Sequence, residues 1–300
     1  MIPLNETCQS LPTRIGEILR RPNRALEYPR FHLDNAIDEH TYDCLLRDFP
    51  TSLIAINSDG SGGIEILPGA PIDQRLSNTW RILLEDLRSA ELKSQLVKLC
   101  YEHALCRYPV WQRPFVYLRL RNPDNYQIRI SINSSTGGRY LPPHNDNSYK
   151  VLALILYLTD RKDEATDLGT IFYLPSSYKA RVQAVRRFNR LGNSKLIRHL
   201  PLQLLPMTSC NIHNRSRDKA DRDQSERWFE HNFRKDVVVG FRRNRLAGFI
   251  KTQDSFHAVD LRSLKNDERR NSLLINLNLK HSRIARFGQF IVARVFRTTT

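Results

Sequence analysis

The sequence predicts an α+β chain that is mainly β, with its second part folded as a sandwich or jelly roll. Two segments with helical spacing of apolar residues precede residue 109, and eight short runs rich in β-branched, aromatic and leucine residues follow it. Turn signals such as NPDN, STGG and RRN separate most of the runs. This order is typical of a β core with helices packed on one sheet. We expect residues 1–108 to form a helical and loop portion packed on a core of residues 109–300, in one compact unit.

The first predicted helical unit spans residues 28–50. A short strand precedes a helix that Asp38 can cap, apolar residues at positions 42, 45, 46 and 49 form one stripe, and Pro50 ends the helix. Residues 51–75 contain SDGSGG and two prolines and are predicted as a loop. A second helix is predicted from Ser77 or Asn78 to about Cys106, covering one face of a sheet.

The predicted strands follow in chain order, and one long segment interrupts them. The runs are FVYLRL (115–120), YQIRISIN (126–133), VLALILYL (151–158), GTIFYL (169–174), DVVVGFR (236–242), LAGFI (246–250), FHAV (256–259) and SLLINLNL (272–279). The insertion at about 176–235 starts with a segment that could form a basic helix and ends in a charge-dense stretch. Loops of this length are usually functional lids or disordered, and both alternatives stay open.

Charge and cysteine content limit the class of protein. The chain has 47 Lys+Arg against 31 Asp+Glu, and residues 179–245 hold 17 Lys/Arg against 6 Asp/Glu. This excess favours an anionic small molecule as a partner, with nucleic acid as a less favoured alternative. Five cysteines without a CxxC pair indicate reduced thiols, and no secretory signal or membrane-spanning apolar run is found. We therefore expect a cytoplasmic location and no membrane partner.

A candidate metal site consists of two histidines and one carboxylate. His144 and Asp146 form a His-x-Asp pair after a Gly-Gly turn and two prolines, directly before a strand. His257 lies in a later short apolar strand. Two histidines and one carboxylate on one face are the usual ligands of a mononuclear Fe(II) site for oxygen chemistry, since they leave three coordination positions open.

A carboxylate-binding pair follows His257. Residues two apart in a strand share a face, so Arg270 and Ser272 project together while Arg269 points away. A guanidinium beside a hydroxyl suits a bidentate carboxylate, although a shift of one residue would exchange the two arginines. Arg129 and Asn133 share a face of the strand that leads to the His-x-Asp turn, and we predict that they contact cosubstrate or substrate.

These motifs, in this order, resemble the Fe(II)/2-oxoglutarate-dependent dioxygenase superfamily, and most closely its prolyl-4-hydroxylase-like branch, among bacterial-type members of uncertain substrate. "PPHNDNSYKVLALILYLTD…DLGTIFYL" and "NRLAGFIKTQDSFHAV" carry the resemblance, which covers roughly half the chain. Where many relatives have two glycines, this chain has Asp167-Leu168-Gly169. The resemblance implies a double-stranded β-helix (a cupin-like jelly roll).

The resemblance also implies site residues and an activity. His144, Asp146 and His257 would bind Fe(II), and Arg270, assisted by Ser272, would hold the far carboxylate of the cosubstrate 2-oxoglutarate. With O2, such an enzyme would hydroxylate an unactivated C–H bond of a small substrate and release succinate. Two alternatives remain: oxidative demethylation of nucleic acid, and a non-catalytic jelly-roll module that binds nucleic acid or a protein through its basic insertion.

Overall fold

Two antiparallel sheets form the core of this computed structural model, which describes residues 11–17, 28–106, 113–188, 209–213, 218–265 and 267–280. In chain order the strands are β1 (Arg30–Leu33), β2 (Ser61–Ile66), β3 (Tyr126–Thr136), β4 (Tyr140–His144), β5 (Lys150–Leu158), β6 (Ala165–Pro175), β7 (Phe233–Phe241), β8 (Leu246–Ile250), β9 (His257–Asp260) and β10 (Arg269–Leu279). The six-stranded major sheet has the order β1-β8-β5-β10-β3-β2, and the four-stranded minor sheet has the order β4-β9-β6-β7.

The chain passes between the two sheets in the order of a double-stranded β-helix. Strands β3, β5, β8 and β10 lie in the major sheet, whereas β4, β6, β7 and β9 lie in the minor sheet. All pairs are antiparallel, and β10 pairs along its whole length with β3 on one side and with most of β5 on the other. The predicted fold class, an α+β jelly roll with helices packed on one sheet, is confirmed.

Helices cover the outer face of the major sheet. They are α1 (Glu39–Arg47), α2 (Asn78–Leu87), α3 (Ala90–Cys106) and α4 (Arg113–Arg121). Alternate residues of the strands, among them Ile130, Leu154 and Ile275, join Trp80 and Leu96 of the helices in one buried apolar cluster. The period of two in the strands therefore separates a helix-facing side from a side that faces the minor sheet. The division into a portion 1–108 and a core 109–300 stays a prediction.

The predicted first helix is confirmed, and the second is divided in two. Asp38 caps α1 by accepting a hydrogen bond from the Thr41 amide. The segment predicted as one helix from residue 77 or 78 breaks between α2 and α3, because the Ser89 hydroxyl accepts from the Leu92 amide and starts a new helix. Ahead of this break, Arg88 turns back to donate to the carbonyls of residues 67 and 70.

The prediction of a strand at 115–120 is wrong. Residues Arg113–Arg121 form α4, which packs against α3 through a Tyr101–Tyr117 ring contact and Arg121 stacked on both rings. Alternation in FVYLRL fits a strand by local pattern, yet Leu118 is 75% exposed and Leu120 is buried. In the structure α3 provides this helix with an aromatic partner, a non-local contact that the local pattern does not contain. The other seven predicted strands are confirmed.

Two further segments differ from the sequence-based prediction. The loop predicted at 51–75 contains β2, which pairs with the outer edge of β3. The insertion contains the predicted basic helix, α5 (Tyr178–Phe188), and a second helix that was not predicted, α6 (Lys219–Asn232). Side chains of both helices, Phe188 and Phe229 among them, pack on the outer face of the minor sheet. Residues 189–208 and 214–217 of the insertion lie outside the described residues.

No helix in the described ranges is long and apolar enough to cross a membrane. The cysteines at 44, 100, 106 and 210 are free thiols, in agreement with the expectation of reduced cysteines.

Candidate metal centre

The two histidines lie opposite one another on neighbouring strands of the minor sheet. His144 is the last residue of β4, His257 is the first of β9, and the two are register partners. Asp146 follows in the turn after β4 with a φ of 62°. The left-handed conformation is uncommon except for residues such as Asn, Asp and Gly. The turn thereby brings the carboxylate back toward the imidazoles.

The three side chains form one compact group of donor atoms. His144 Nε2 lies 3.6 Å from Asp146 Oδ1, and His257 Nε2 lies 3.6 Å from Asp146 Oδ2. One ligand atom from each residue lies within 4.8 Å of the others, and the histidine ring centroids are 4.3 Å apart. The structure therefore brings together the three residues that the sequence singled out, although His257 lies more than a hundred residues after His144 and Asp146.

Backbone carbonyls orient both imidazoles. His144 Nδ1 is 2.9 Å from the Pro142 carbonyl, and His257 Nδ1 is 3.1 Å from the Ser255 carbonyl. A carbonyl can only accept, so each Nδ1 carries the proton and donates it. Each Nε2 consequently presents a lone pair toward the shared centre. This is the usual arrangement around metal-bound histidines.

Lys150 places a positive charge beside the carboxylate of this group. Its Nζ lies 3.0 Å from Asp146 Oδ2. Burial alone would raise the pKa of Asp146, but the Lys150 ammonium, followed by the neighbouring His257 and His144, holds it well below its usual range. Burial, followed by the neighbouring His144, lowers the pKa of His257 to about 3. One anionic carboxylate and a neutral imidazole at neutral pH are the protonation states that a divalent metal requires.

Asn145, between the two predicted ligands, is a positioning residue that the sequence interpretation missed. The side chain is fully buried, its Oδ1 accepts from the Cys210 amide at 2.6 Å, and its Nδ2 donates to the Gln253 carbonyl at 2.5 Å. The Asn145 amide also donates to the Cys210 carbonyl. Asn145 therefore joins the His-x-Asp turn to residues 209–213 and to the loop before His257.

We expect Asn145→Ala to lower the free energy of unfolding by about 1–3 kcal/mol, because the two hydrogen bonds of this buried side chain are lost and each contributes about 0.5–1.5 kcal/mol. Chemical denaturation measures this change. Asn147→Ala is the matched control, since the Asn147 side chain is exposed and its Nδ2 donates to the hydroxyl of the nearby Tyr149. An Asn145→Ala variant as stable as the control would contradict the role of this contact.

The metal-free protein should lose stability in mildly acidic solution. The folded pKa of His257 is about 3 against an ordinary 6.5, so the unfolded chain takes up a proton first as the pH falls below 6.5. The free energy of unfolding should then decrease by up to about 1.4 kcal/mol per pH unit from this histidine, and above pH 6.5 it contributes no slope. Denaturation at several pH values between 6.5 and 4, with and without His257→Gln, measures the slope. An equal slope in both proteins would contradict the assignment.

Arg270 lies at the other end of the barrel interior, facing the minor sheet. The guanidinium is buried, whereas Arg269 is exposed. Its Nε donates to the Leu168 carbonyl at 2.9 Å, and its Cζ lies 5.0 Å from the centre of the Tyr157 ring. Burial lowers the pKa of Arg270. In the described part of the chain no carboxylate lies within ion-pair distance of this cation, and a buried charge without a counter-ion is costly.

The surroundings of Arg270 are rigid. The Tyr157 hydroxyl forms a hydrogen bond of 2.8 Å with Oγ1 of Thr170, which lies on β6 two residues after Leu168. Gly169 is required here, since a Cβ would lie 2.3 Å from the Val239 carbonyl. The Asp-Leu-Gly sequence thus keeps a glycine at a position where β7 leaves no room for a Cβ on β6. Ser272 is buried and is the register partner of Tyr157, next to Arg270 on the same face.

Arg129 and Asn133 share the inner face of β3, as the sequence predicts. Asn133 is the register partner of Ser272, and its Nδ2 donates to the Ser131 hydroxyl at 3.2 Å. Arg129 lies nearer the metal centre, with Nη1 3.5 Å from Glu65. Whether these residues contact a cosubstrate stays a prediction. Lys150 and Tyr157 were missed, although a lysine four residues after the aspartate is visible in the sequence.

No protein-family model and no curated protein matches this chain. Solved structures that resemble it include a prolyl-4-hydroxylase from Pseudomonas putida (10% identity, 89% of this chain and 99% of that chain, TM-score 0.44). Another is the epimerase SnoN with Fe3+, α-ketoglutarate and nogalamycin RO (12% identity, 90% of this chain and 84% of that chain, TM-score 0.43). A third is HygX from Streptomyces hygroscopicus with nickel and 2-oxoglutarate (9% identity, 84% of this chain and 84% of that chain, TM-score 0.38). The fold is assigned from strand order and register alone.

Proposed function

We propose that this chain is an Fe(II)- and 2-oxoglutarate-dependent oxygenase that hydroxylates an unactivated C–H bond of a small substrate. The observation that carries the proposal is the pairing, inside one barrel, of a two-histidine, one-carboxylate group with a buried arginine that has no carboxylate partner in the described ranges. A two-histidine, one-carboxylate group by itself is compatible with many metal-dependent reactions, and a buried arginine by itself could have a purely structural role. Together they match the two ends of a cosubstrate that chelates a metal and also carries a distal carboxylate.

The residues fit Fe(II). Nitrogen and carboxylate donors suit this ion, and three protein ligands leave open positions for a chelating cosubstrate and for oxygen. His144, Asp146 and His257 would hold the metal through Nε2, a carboxylate oxygen and Nε2. A metal cation there would also balance the buried carboxylate and displace the Lys150 ammonium as its main counter-charge.

The buried Arg270 fits 2-oxoglutarate. A bidentate carboxylate would supply the missing counter-ion, and the Ser272 and Thr170 hydroxyls lie beside it as further donors. When bound, the iron and cosubstrate supply oxidation of the C–H bond coupled to decarboxylation of 2-oxoglutarate to succinate. Phe249 and Phe172, whose ring centroids lie 4.4 and 6.3 Å from the His257 ring, exclude water from that side of the metal centre.

Conversion of 2-oxoglutarate to succinate by the purified chain tests the proposal. We expect succinate to form only with both Fe(II) and O2, at the slow rate typical of turnover without the primary substrate, and to stop on adding a chelator. An anaerobic titration with Fe(II) and then 2-oxoglutarate should produce the weak visible charge-transfer band of the chelate.

A folded protein that binds Fe(II) but gives neither succinate nor the band would contradict the proposal. Nucleic-acid binding that depends steeply on salt and is unaffected by His257→Ala would then favour a non-catalytic module.

A further inference from the structure

The interior of the barrel is divided into an apolar half and a polar half. On β5 and β8 the residues that face the minor sheet are apolar or aromatic, such as Ala153, Ile155 and Phe249. On β3 and β10 most of the residues that face the same space are polar, with Leu274 as an apolar exception: Arg129, Ser131, Asn133, Ser135, Arg270, Ser272, Asn276 and Asn278. A jelly roll that only needed a core would be apolar throughout, so the polar half indicates a binding cleft.

One row of residues across the major sheet lies level with the metal centre. Phe249 is the register partner of Ala153, Ala153 of Asn276, and Asn276 of Arg129. The Phe249 ring centroid is 4.4 Å from that of His257, which ties this row to the metal ligands. The next inward-facing residue of β10, Asn278, pairs with Lys150, the residue in contact with Asp146. Arg129, Asn276 and Asn278 therefore lie at the metal end of the cleft, and Arg270 lies at the opposite end.

In the part of the chain that the structure describes, polar atoms of all three residues are buried without hydrogen-bond partners. They are the Nε of Arg129 and the Oδ1 atoms of Asn276 and Asn278, and the Asn278 side chain is only 2% exposed. Burial of an unpaired amide oxygen costs about 1–3 kcal/mol. One donor on a cation of β3 and two acceptors of β10 are thus available to a ligand with complementary groups. Asn276 is the register partner of Arg129, and Asn278 lies two residues further along β10 on the same face. Register partners have Cβ atoms about 5 Å apart, a distance that one small ligand can bridge.

We propose that these residues bind the head group of a free α-amino acid, which is the primary substrate. Arg129 binds its carboxylate, and Asn276 and Asn278 accept hydrogen bonds from its ammonium group. A carboxylate and an ammonium on one carbon provide the anion and the donors that the three orphan atoms require. The amino acid's side chain then lies toward Phe249 and the metal ligands, where a C–H bond is oxidised. This assignment rests on the proposed oxygenase function.

Two neighbours moderate the charge of Arg129. Its Nη1 lies 3.5 Å from a Glu65 carboxylate that is 57% exposed, and its Cζ lies 5.9 Å from the Tyr149 ring centre. An exposed ion pair of this length contributes little, so the guanidinium keeps its capacity for a second, better placed carboxylate.

Isothermal titration under nitrogen of the Fe(II)- and 2-oxoglutarate-loaded protein, with each of the twenty common L-α-amino acids, tests the assignment. We expect at least one amino acid to bind, and its α-carboxamide and N-acetyl derivatives to bind at least about tenfold more weakly. Arg129→Gln should raise the Kd of that amino acid about 30-fold or more. Arg161→Gln is the matched control, because Arg161 forms a comparable exposed pair, at 3.4 Å, with Glu268.

Each other outcome overturns one assignment. If no amino acid binds while the protein still forms succinate with Fe(II), the head-group assignment is wrong and the oxygenase proposal stands. If carboxamide and parent bind equally, the carboxylate contact is wrong. If Arg129→Gln weakens the binding of 2-oxoglutarate and not that of the amino acid, Arg129 holds the cosubstrate. If an amino acid binds through Arg129 but no succinate forms, the oxygenase proposal fails and the amino-acid site stands.

Discussion

Asp146→Ala is expected to abolish Fe(II) binding and to reduce 2-oxoglutarate turnover by at least about 10³-fold. Changes to groups that only orient metal ligands typically cost 10–100-fold, so loss of one of three ligands should exceed that range. The substitution also leaves the Lys150 ammonium, 13% exposed and 3.0 Å from Asp146 Oδ2, beside two imidazoles without its counter-charge. An anaerobic Fe(II) titration measures the affinity, and succinate formation measures the turnover.

Two further variants separate the loss of a ligand from the loss of the fold. Asp146→Asn keeps the shape of the side chain but replaces the anion with a neutral amide, and should lose most of the affinity for Fe(II). Asp160→Ala removes an exposed carboxylate beyond the end of β5 and should leave both measurements unchanged. Turnover by a folded Asp146→Ala protein at the wild-type rate would exclude this aspartate as a metal ligand.

Arg270→Met is expected to raise the Kd of 2-oxoglutarate about 10²–10³-fold and to leave Fe(II) affinity unchanged. Truncation of one partner of a buried, hydrogen-bonded charge pair costs about 2–5 kcal/mol, and each 1.4 kcal/mol is tenfold. The free energy of unfolding should change by less than about 1 kcal/mol. Methionine removes a buried cation that has no carboxylate partner in the described part of the chain, which offsets the lost hydrogen bond to Leu168 and the contact with Tyr157.

Arg269→Met is the control for this variant. Arg269 is the adjacent residue on β10 and is exposed, so its replacement should leave the affinity for 2-oxoglutarate at the wild-type value. Titration of each Fe(II)-loaded protein with 2-oxoglutarate under nitrogen measures the affinities. A larger loss in Arg269→Met than in Arg270→Met would mean that the exposed arginine turns inward when the cosubstrate binds, and would refute the assignment.

Local sequence patterns predicted much of the fold because they act over a few residues. Short runs rich in β-branched, aromatic and leucine residues identified seven of the core strands, and Asp38 marked the start of α1. The same local information failed at α4, where FVYLRL was predicted as a strand but forms a helix that packs against α3. It also failed at β4, because Pro142 and Pro143 argue against a strand and the pairing of β4 with β9 overrides them.

The sequence by itself determined the identity and order of the candidate ligands, His144, Asp146 and His257, together with the face that carries Arg270. It could do so because strand ends and a period of two are local properties. Only the tertiary structure decided which polar groups are buried without partners. Three such features join residues from different strands and loops. They are the row of register partners from Phe249 to Arg129, the contact of Lys150 with Asp146, and the hydrogen bonds of Asn145. Their physical basis is the register between strands and the burial it produces, and neither is encoded in any single stretch of the chain.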